Sequence, residues 1–406
     1  MKKIAIINQR YGREVNGGSE TYTMQLAEHL KEFFEVEILT TCALEYADWK
    51  NHFPAGVEED RGIRIRRFPV RGRRRPLLMK LTGRLMKLPG WNRRYWNHLW
   101  IRAQGPCVPE LVSYLEAHQE TYDVFIFVTY LYYPAVYGLQ KVGERSIFVP
   151  TAHEEPYIHF RLMEDVFAAP AAFVFLTEEE KDLVQTLFPL EERPYRVAAM
   201  GIRAAEVREQ RRLNRETGPG MGIEQFRQKY GISGSYFIYA GRIDMDKGCG
   251  ELIEYFEQYR AEHPEEEMEL VLIGSKAMEI PETDGVRYLG FLPEEDKNAG
   301  IAGARALILP SRHESLSISA LEAMGMGVPV LVNGHCAVLE GHCRRSGAGL
   351  AYDEREGFCQ AAEQLQEEAV CRQMGEAGIR YVREQYSWER VMDQWKALIA
   401  EVTERK

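Results

Sequence analysis

The chain has 406 residues, of which 45% are hydrophobic and 28% are charged, with a net charge of −10. These values exclude a disordered or fibrous protein, and the length predicts two domains because single cores seldom exceed about 300 residues. The acidic balance argues against nucleic acid as a partner. The amino-terminal apolar run is too short for a signal peptide, and no run reaches the roughly 18 apolar residues of a membrane span. We therefore expect a cytoplasmic protein.

Short apolar runs alternate with helical patterns in both halves of the chain, which predicts two parallel α/β sheets. The predicted strands of the first half are 4–7, 36–39, 123–128, 147–149 and 173–176. Those of the second half are 237–240, 270–273, 286–289, 306–309 and 328–332. Between the halves, residues 200–235 are rich in Arg, Glu, Gly and Pro, and Thr217-Gly218-Pro219-Gly220 would break a helix. We interpret 200–235 as the interdomain connection.

Residues 61–102, which we call the basic segment, contain 14 Lys or Arg and no Asp or Glu. Apolar and aromatic side chains are interleaved with these charges, among them Leu77, Leu81, Leu88, Trp91 and Trp96. Such a mixture is typical of a surface that contacts anionic lipid. The alternatives are that the segment binds an anionic acceptor or packs against the acidic remainder of the chain.

The strongest local signal runs from Pro310 to Val330, where a predicted strand leads through a loop into a helix that starts near Ser317. Backbone N–H groups of Leu316 and Ser317, free at the helix start, suit a diphosphate. Carboxylates beside them, Glu314 in the loop and Glu322 about two turns into the helix, suit sugar or ribose hydroxyls. The alternative is that Glu314 only complements the helix dipole and Glu322 is solvated.

Two cationic residues, Arg242 and Lys247, follow a predicted strand at its carboxyl end, where α/β proteins bind ligands. They suit the negative charge that develops on a departing diphosphate, so that no metal would be required. The alternative is that both are ordinary surface charges.

The pair Arg242 and Lys247, followed by Glu314 with seven residues before Glu322, resembles the donor-site signature of family 4 retaining glycosyltransferases. Four further segments resemble that family in the expected order: Asn16 to Glu20, Val149 to Pro156, Ala199 to Ile202, and Ser387-Trp388 with its following helix. The resemblance implies the GT-B fold, in which two Rossmann-like domains face each other across a deep cleft. It implies an acceptor domain of 1–199 plus 388–406, to which the last helix crosses back, and a donor domain of 236–387.

The resemblance also implies roles for residues of the donor domain. Arg242 and Lys247 would bind the donor diphosphate. Glu322 would bind the ribose and Glu314 the transferred sugar. Backbone groups of the turn at Leu292 would hold the nucleobase.

In the acceptor domain, the resemblance implies that His153 hydrogen-bonds a hydroxyl of the sugar. The Gly17-Gly18 loop would let backbone approach the donor or acceptor closely. The sequence departs from the family at 315–317, where Ser-Leu-Ser replaces the usual glycines and aromatic residue. Backbone donors survive that change, but the extra hydroxyls affect which sugar is accepted.

The function implied is retaining transfer of a sugar from a nucleotide-diphosphate donor to a glycan or lipid-linked acceptor, without a cofactor or metal. The resemblance to this family, together with the basic segment, suggests cell-envelope or surface polysaccharide synthesis at the inner face of the membrane. A metal site at His153, Glu154, Glu155 and His159 is disfavoured because the spacing is not H-E-x-x-H, and 333–343 match no zinc finger. The alternatives are a GT-B phosphorylase or epimerase, and a non-catalytic sugar-nucleotide-binding subunit.

Overall fold

The computed structural model describes residues 1–15, 17–88, 90–190, 193–202, 222–265 and 267–405. They form two compact units, one of Met1–Met200 with Trp388–Lys406 and one of Gly201–Ser387. Asn16 of the predicted glycine loop and Thr217 to Gly220 of the predicted connection lie outside the described residues.

The first unit is built on an eight-stranded sheet with the order β3-β4-β2-β1-β5-β6-β7-β8, parallel except for the pair β3–β4. The strands are β1 (Lys3–Ile7), β2 (Glu35–Thr41), β3 (Gly56–Asp60), β4 (Ile63–Phe68), β5 (Val124–Val128), β6 (Ser146–Val149), β7 (Ala172–Phe175) and β8 (Tyr195–Val197). All five predicted strands are present. The sequence analysis missed β3, β4 and β8, whose charged side chains interrupt an apolar run.

Helices cover the first sheet through apolar faces, as the parallel strands require. They are α1 (Gly18–Leu30), α2 (Pro76–Met86), α3 (Arg94–Gln104), α4 (Pro109–Ala117), α5 (Tyr133–Val142), α6 (Arg161–Ala168) and α7 (Glu178–Leu187). In α1, the spacing of Leu26, Ala27 and Leu30 places all three on the buried face.

The second unit has a six-stranded sheet, parallel throughout, with the order β11-β10-β9-β12-β13-β14. Its strands are β9 (Ser235–Ala240), β10 (Met268–Ile273), β11 (Val286–Gly290), β12 (Leu307–Leu309), β13 (Val330–Asn333) and β14 (Gly349–Tyr352). The helices are α8 (Ile223–Tyr230), α9 (Cys249–Glu262), α10 (Glu294–Ala302), α11 (Ile318–Met326), α12 (Ala337–Ser346), α13 (Arg355–Gln364) and α14 (Glu368–Gln385). The predicted connection thus contains a helix, α8, whose Phe226 is fully buried.

The final helix, α15 (Trp388–Glu404), returns to the first unit and packs against β5, β6 and β8. Its buried residues Val391, Trp395 and Leu398 recur at helical spacing, and Trp388 stacks on His29 of α1 with 3.6 Å between ring centroids. Of all the helices in the described part of the chain, none has the length and apolar character needed to cross a membrane.

Each sheet has one point where the strand order reverses, between β1 and β5 in the first unit and between β9 and β12 in the second. Loops that leave the carboxyl ends of such strands diverge to opposite faces of the sheet, which opens a crevice for a ligand. The two predicted donor loops follow β9 and β12, so they flank the crevice of the second unit.

Candidate functional site

The loops after β9 and β12 are held together at Gly248. This residue has φ of +76°, and a Cβ built there would lie 2.6 Å from the carbonyl oxygen of Pro310. Both the left-handed backbone and the close approach require glycine. Gly248 therefore brings the Arg242–Lys247 loop against the loop that carries Glu314.

Lys247 and Glu314 form an ion pair, with 2.7 Å between Nζ and Oε1. Their side chains are 31% and 20% exposed, so the pair lies at the rim of the crevice and is open to a ligand. Asp244 organises the same loop, because its Oδ1 accepts a hydrogen bond of 2.7 Å from the backbone N–H of Lys247 and its Oδ2 pairs with Arg242. The sequence analysis did not single out Asp244.

Helix α11 begins at Ile318, with Ser317 as its N-cap residue at φ +61°. Leu316, predicted to offer a free N–H at the helix start, lies outside the helix and is buried. Its carbonyl oxygen is 2.9 Å from Nε2 of the fully buried His342, whose Nδ1 lies 3.1 Å from the hydroxyl of Tyr381. His342 thus holds the backbone of the loop at Leu316 in place. The sequence analysis did not predict this role.

Glu322 lies on α11 and accepts a hydrogen bond of 3.0 Å from Nζ of Lys297 on α10. Glu322 thus pairs with a different cation from Glu314, which pairs with Lys247. Leu292 follows the carboxyl end of β11 and is buried, next to the exposed Phe291. Six predicted donor residues of the second unit lie in loops that leave the carboxyl ends of strands, and the seventh, Glu322, lies within α11.

In the first unit, Gly17 precedes α1 with φ of +158°, and a Cβ there would lie 2.2 Å from Oε2 of Glu20. Glu20 is buried and pairs with Arg10, with 2.7 Å between carboxylate oxygen and guanidinium nitrogen. The next glycine, Gly18, has open space at its Cβ position and begins α1. The glycine loop is thus packed on a buried ion pair at the carboxyl end of β1.

His153 follows β6, with Nε2 3.8 Å from Oε1 of Glu155, and Glu155 also accepts a hydrogen bond from the hydroxyl of Tyr130. The segment before it is strained, since Thr151 has φ of +53°. Glu180 on α7 stabilises this backbone. Its Oε1 accepts a hydrogen bond of 2.6 Å from the N–H of Ala152.

Glu180 is a further residue that the sequence analysis missed. Its Oε2 accepts a hydrogen bond of 2.6 Å from the N–H of Leu176. Burial raises the pKa of the Glu180 carboxyl to about 8, against the opposing effect of these backbone donors. Glu180 therefore links the backbone that follows β6, next to His153, to the backbone that follows β7.

Within the described ranges, no three His, Cys, Asp or Glu side chains are grouped so as to hold a metal ion. His153 and His159 each face a glutamate, but the two glutamates are different residues, Glu155 and Glu154.

Residues 234–368 match the family model described as Glycosyl transferases group 1. The mannosylfructose-phosphate synthase of Agrobacterium fabrum is 23% identical over 194 residues, which cover only 43% of this chain and 42% of that protein. The D-inositol 3-phosphate glycosyltransferase of Jonesia denitrificans is 23% identical over 412 residues, covering 92% of this chain and 88% of that protein. The solved sucrose-phosphate synthase of Thermosynechococcus elongatus superposes with a TM-score of 0.71 at 16% identity, over all of both chains.

The two parallel-sheet units and the full-length superposition define the GT-B glycosyltransferase fold. The family match covers residues 234–368, which lie in the second unit, so this unit resembles group 1 glycosyl transferases.

Proposed function

We propose that the protein transfers a sugar from a nucleotide-diphosphate donor, with retention of the anomeric configuration, and that the second unit binds the donor. The observation that carries this proposal is the Lys247–Glu314 ion pair at the point where the strand order reverses. A cation and a carboxylate side by side suit the two ends of the bond to be broken, since one binds diphosphate and the other sugar hydroxyls.

In the proposed reaction, the bond between the anomeric carbon and the diphosphate oxygen breaks and the nucleoside diphosphate leaves. Lys247 and Arg242 stabilise the negative charge on this leaving group. The acceptor hydroxyl attacks from the face that the diphosphate vacates, and its proton passes to a phosphate oxygen. Glu314 orients the sugar, and Glu322 binds the ribose.

We propose that the reaction needs no metal and no other cofactor, because two side-chain cations serve the diphosphate directly. Arg242 pairs with Asp244, which holds its guanidinium in the loop after β9. The acceptor is a glycan or a lipid-linked sugar of the cell envelope. The exposed basic segment of the first unit supports this choice.

The test is an assay of nucleoside diphosphate release from a panel of UDP-, GDP- and ADP-sugars, with and without a detergent extract of membrane lipids. Release from one donor, stimulated by the extract and unaffected by EDTA, is the expected result. A proton-coupling measurement on the product gives the anomeric configuration, and inversion would overturn the retaining mechanism.

Two other functions give different results in the same assay. An epimerase alters the sugar and releases nucleotide without an added hydroxyl acceptor, so its turnover is independent of the extract. A phosphorylase needs inorganic phosphate and a glycan, so it releases no nucleoside diphosphate from any donor of the panel. A non-catalytic sugar-nucleotide-binding subunit binds a donor in calorimetry but releases no diphosphate with any acceptor.

A further inference from the structure

The part of the basic segment that follows β4 forms a helical hairpin on the first unit, made of α2 and α3. Of the 12 exposed large hydrophobic side chains in the described residues, five belong to this hairpin. They are Leu77, Leu81, Leu88, Trp91 and Tyr95. Such a cluster of exposed apolar side chains indicates a surface that binds another molecule.

The outer face of α2 carries both apolar and cationic side chains. Leu77 is 84% exposed and Leu81 57% exposed, and the two lie one turn apart. Lys80 and Arg84 are exposed on the same face, at the same helical spacing. The opposite face is buried through Met86. Helix α2 therefore packs one face against the first unit and exposes the opposite face, which combines leucines with cations.

An aromatic group continues this surface after α2 ends. Trp91 and Tyr95 are exposed and both contact Trp96, with ring centroids 5.8 and 5.2 Å away. Tryptophan and tyrosine combine an apolar ring with a polar atom, which suits the headgroup level of a bilayer.

The cations of the hairpin have few partners of opposite charge. Six exposed basic side chains have no ion pair with any described residue: Arg73, Arg75, Lys80, Arg84, Lys87 and Arg93. Arg94, by contrast, pairs with Asp165 at 2.7 Å and so serves to hold the hairpin to α6. The outer surface therefore keeps its positive charge and attracts an anionic partner.

The hairpin is anchored rigidly at its base. Trp100 of α3 is buried, and the N–H of Arg75 donates a hydrogen bond of 2.9 Å to the carbonyl oxygen of Ala103. Arg74 lies over the ring of Tyr46, which also faces Arg10 at the end of β1. The base of the hairpin thus lies beside the carboxyl edge of the first sheet.

We infer that the α2–α3 hairpin docks the protein on the surface of an anionic phospholipid bilayer, with the leucines and aromatic rings inserted at headgroup depth and the cations on lipid phosphates. Neither a purely apolar partner nor a purely anionic, polar partner matches a surface that combines leucines and aromatic rings with cations. Docking brings the carboxyl edge of the first sheet close to the membrane plane. This inference deepens the proposed function, since it places a lipid-linked acceptor within reach.

The test is co-sedimentation of the full chain with vesicles of phosphatidylcholine alone or mixed in equal parts with phosphatidylglycerol. We expect binding to the mixed vesicles only. Binding should weaken strongly between 0.1 and 1 M salt, where the screening length falls from about 10 to about 3 Å. Lys80→Glu with Arg84→Glu should lower the partition coefficient by about tenfold or more. Leu77→Ser with Leu81→Ser should lower it even at low salt.

The matched control is Arg380→Glu with Arg383→Glu, two exposed arginines on α14 of the second unit, which should bind as the parent does. Equal loss in this control, equal binding to neutral vesicles, or no binding at all overturns the inference. A dimer in light scattering that Leu77→Ser with Leu81→Ser dissociates also overturns it, since a second copy would then cover the surface. Sedimentation needs no donor, so this result is independent of whether the protein transfers sugar.

Discussion

Lys247 and Glu314 are brought within 2.7 Å of each other although 67 residues separate them in the chain. The contact depends on adjacent strands, β9 and β12, whose carboxyl ends release both loops at one edge of the sheet. With no donor present the two charges neutralise each other. When a donor diphosphate pairs with Lys247, Glu314 can accept hydrogen bonds from the sugar.

Lys247→Ala removes the cation of this pair and should lower kcat/KM by roughly 10²–10³-fold, as the loss of one charge-stabilising donor does. The measurement is the steady-state rate of nucleoside diphosphate release. Lys396→Ala, which removes a cation from an exposed pair with Asp393 at 2.7 Å, is the matched control and should retain parent activity. Equal rates for the Lys247 variant and the parent would contradict the assigned role.

Gly248→Ala should abolish most activity, because a Cβ would meet the Pro310 carbonyl oxygen at 2.6 Å and force the two donor loops apart. Gly347 also has positive φ, +63°, but nothing lies within 4 Å of its Cβ position. Gly347→Ala should therefore cost only the backbone strain, about 1 kcal/mol in the free energy of unfolding, and leave kcat/KM intact. Similar activity in both variants would show that loop contact at Gly248 does not matter.

Glu322→Gln should raise the KM for the donor about tenfold and change kcat little, as expected for a group that binds ribose equally in the ground and transition states. Donor titrations of the initial rate measure both constants. Glu254→Gln, an exposed substitution on α9, serves as the control. A large fall in kcat at unchanged KM would move Glu322 from ribose binding to the reacting centre.

His342→Phe should reduce the free energy of unfolding by about 2 kcal/mol or more, because the Leu316 carbonyl oxygen and the Tyr381 hydroxyl lose a buried partner. Activity should fall in parallel, since Leu316 adjoins Ser317 at the start of α11. The control is His335→Phe on the exposed loop after β13, expected to stay within about 0.5 kcal/mol. Urea unfolding gives both values, and equal effects would refute the supporting role of His342.

Glu180→Gln should remove a pH dependence of stability. The Glu180 pKa is raised from an unfolded value of 4.5 to about 8, so the folded state holds this proton while the unfolded state releases it. The parent's free energy of unfolding should therefore fall as pH rises from about 5 to 8, by at most about 1.4 kcal/mol per unit from this group.

The measurement is urea unfolding of parent and variant at pH 5, 6.5 and 8. The stability of Glu180→Gln relative to the parent should rise steadily across that range. Glu178→Gln, an exposed change on the same helix, should follow the parent. A constant difference between parent and the Glu180 variant would mean that Glu180 keeps an ordinary pKa.

Of the 14 strands in the described residues, sequence patterns predicted ten and missed β3, β4, β8 and β14. Strand β4 has the sequence IRIRRF, and its Arg66 pairs at 3.0 Å with the buried Glu37 of β2. That partner is 29 residues away in the chain, so the sequence pattern did not identify the pairing. The same limit applies to the site, since His342 and Glu180 act on backbone atoms 26 and 28 residues away. The sequence analysis did single out Lys247 and Glu314, which lie in the loops after the apolar strands β9 and β12.

Binding of nucleoside diphosphates by calorimetry tests the central claim, that the loops after β9 and β12 hold the donor diphosphate. UDP, GDP and ADP are titrated into the parent, Lys247→Ala and Lys396→Ala. We predict one site with a clear preference for one base, at least about tenfold weaker in Lys247→Ala and unchanged in Lys396→Ala. Undiminished binding by Lys247→Ala, or no binding of any nucleotide by the parent, would contradict it.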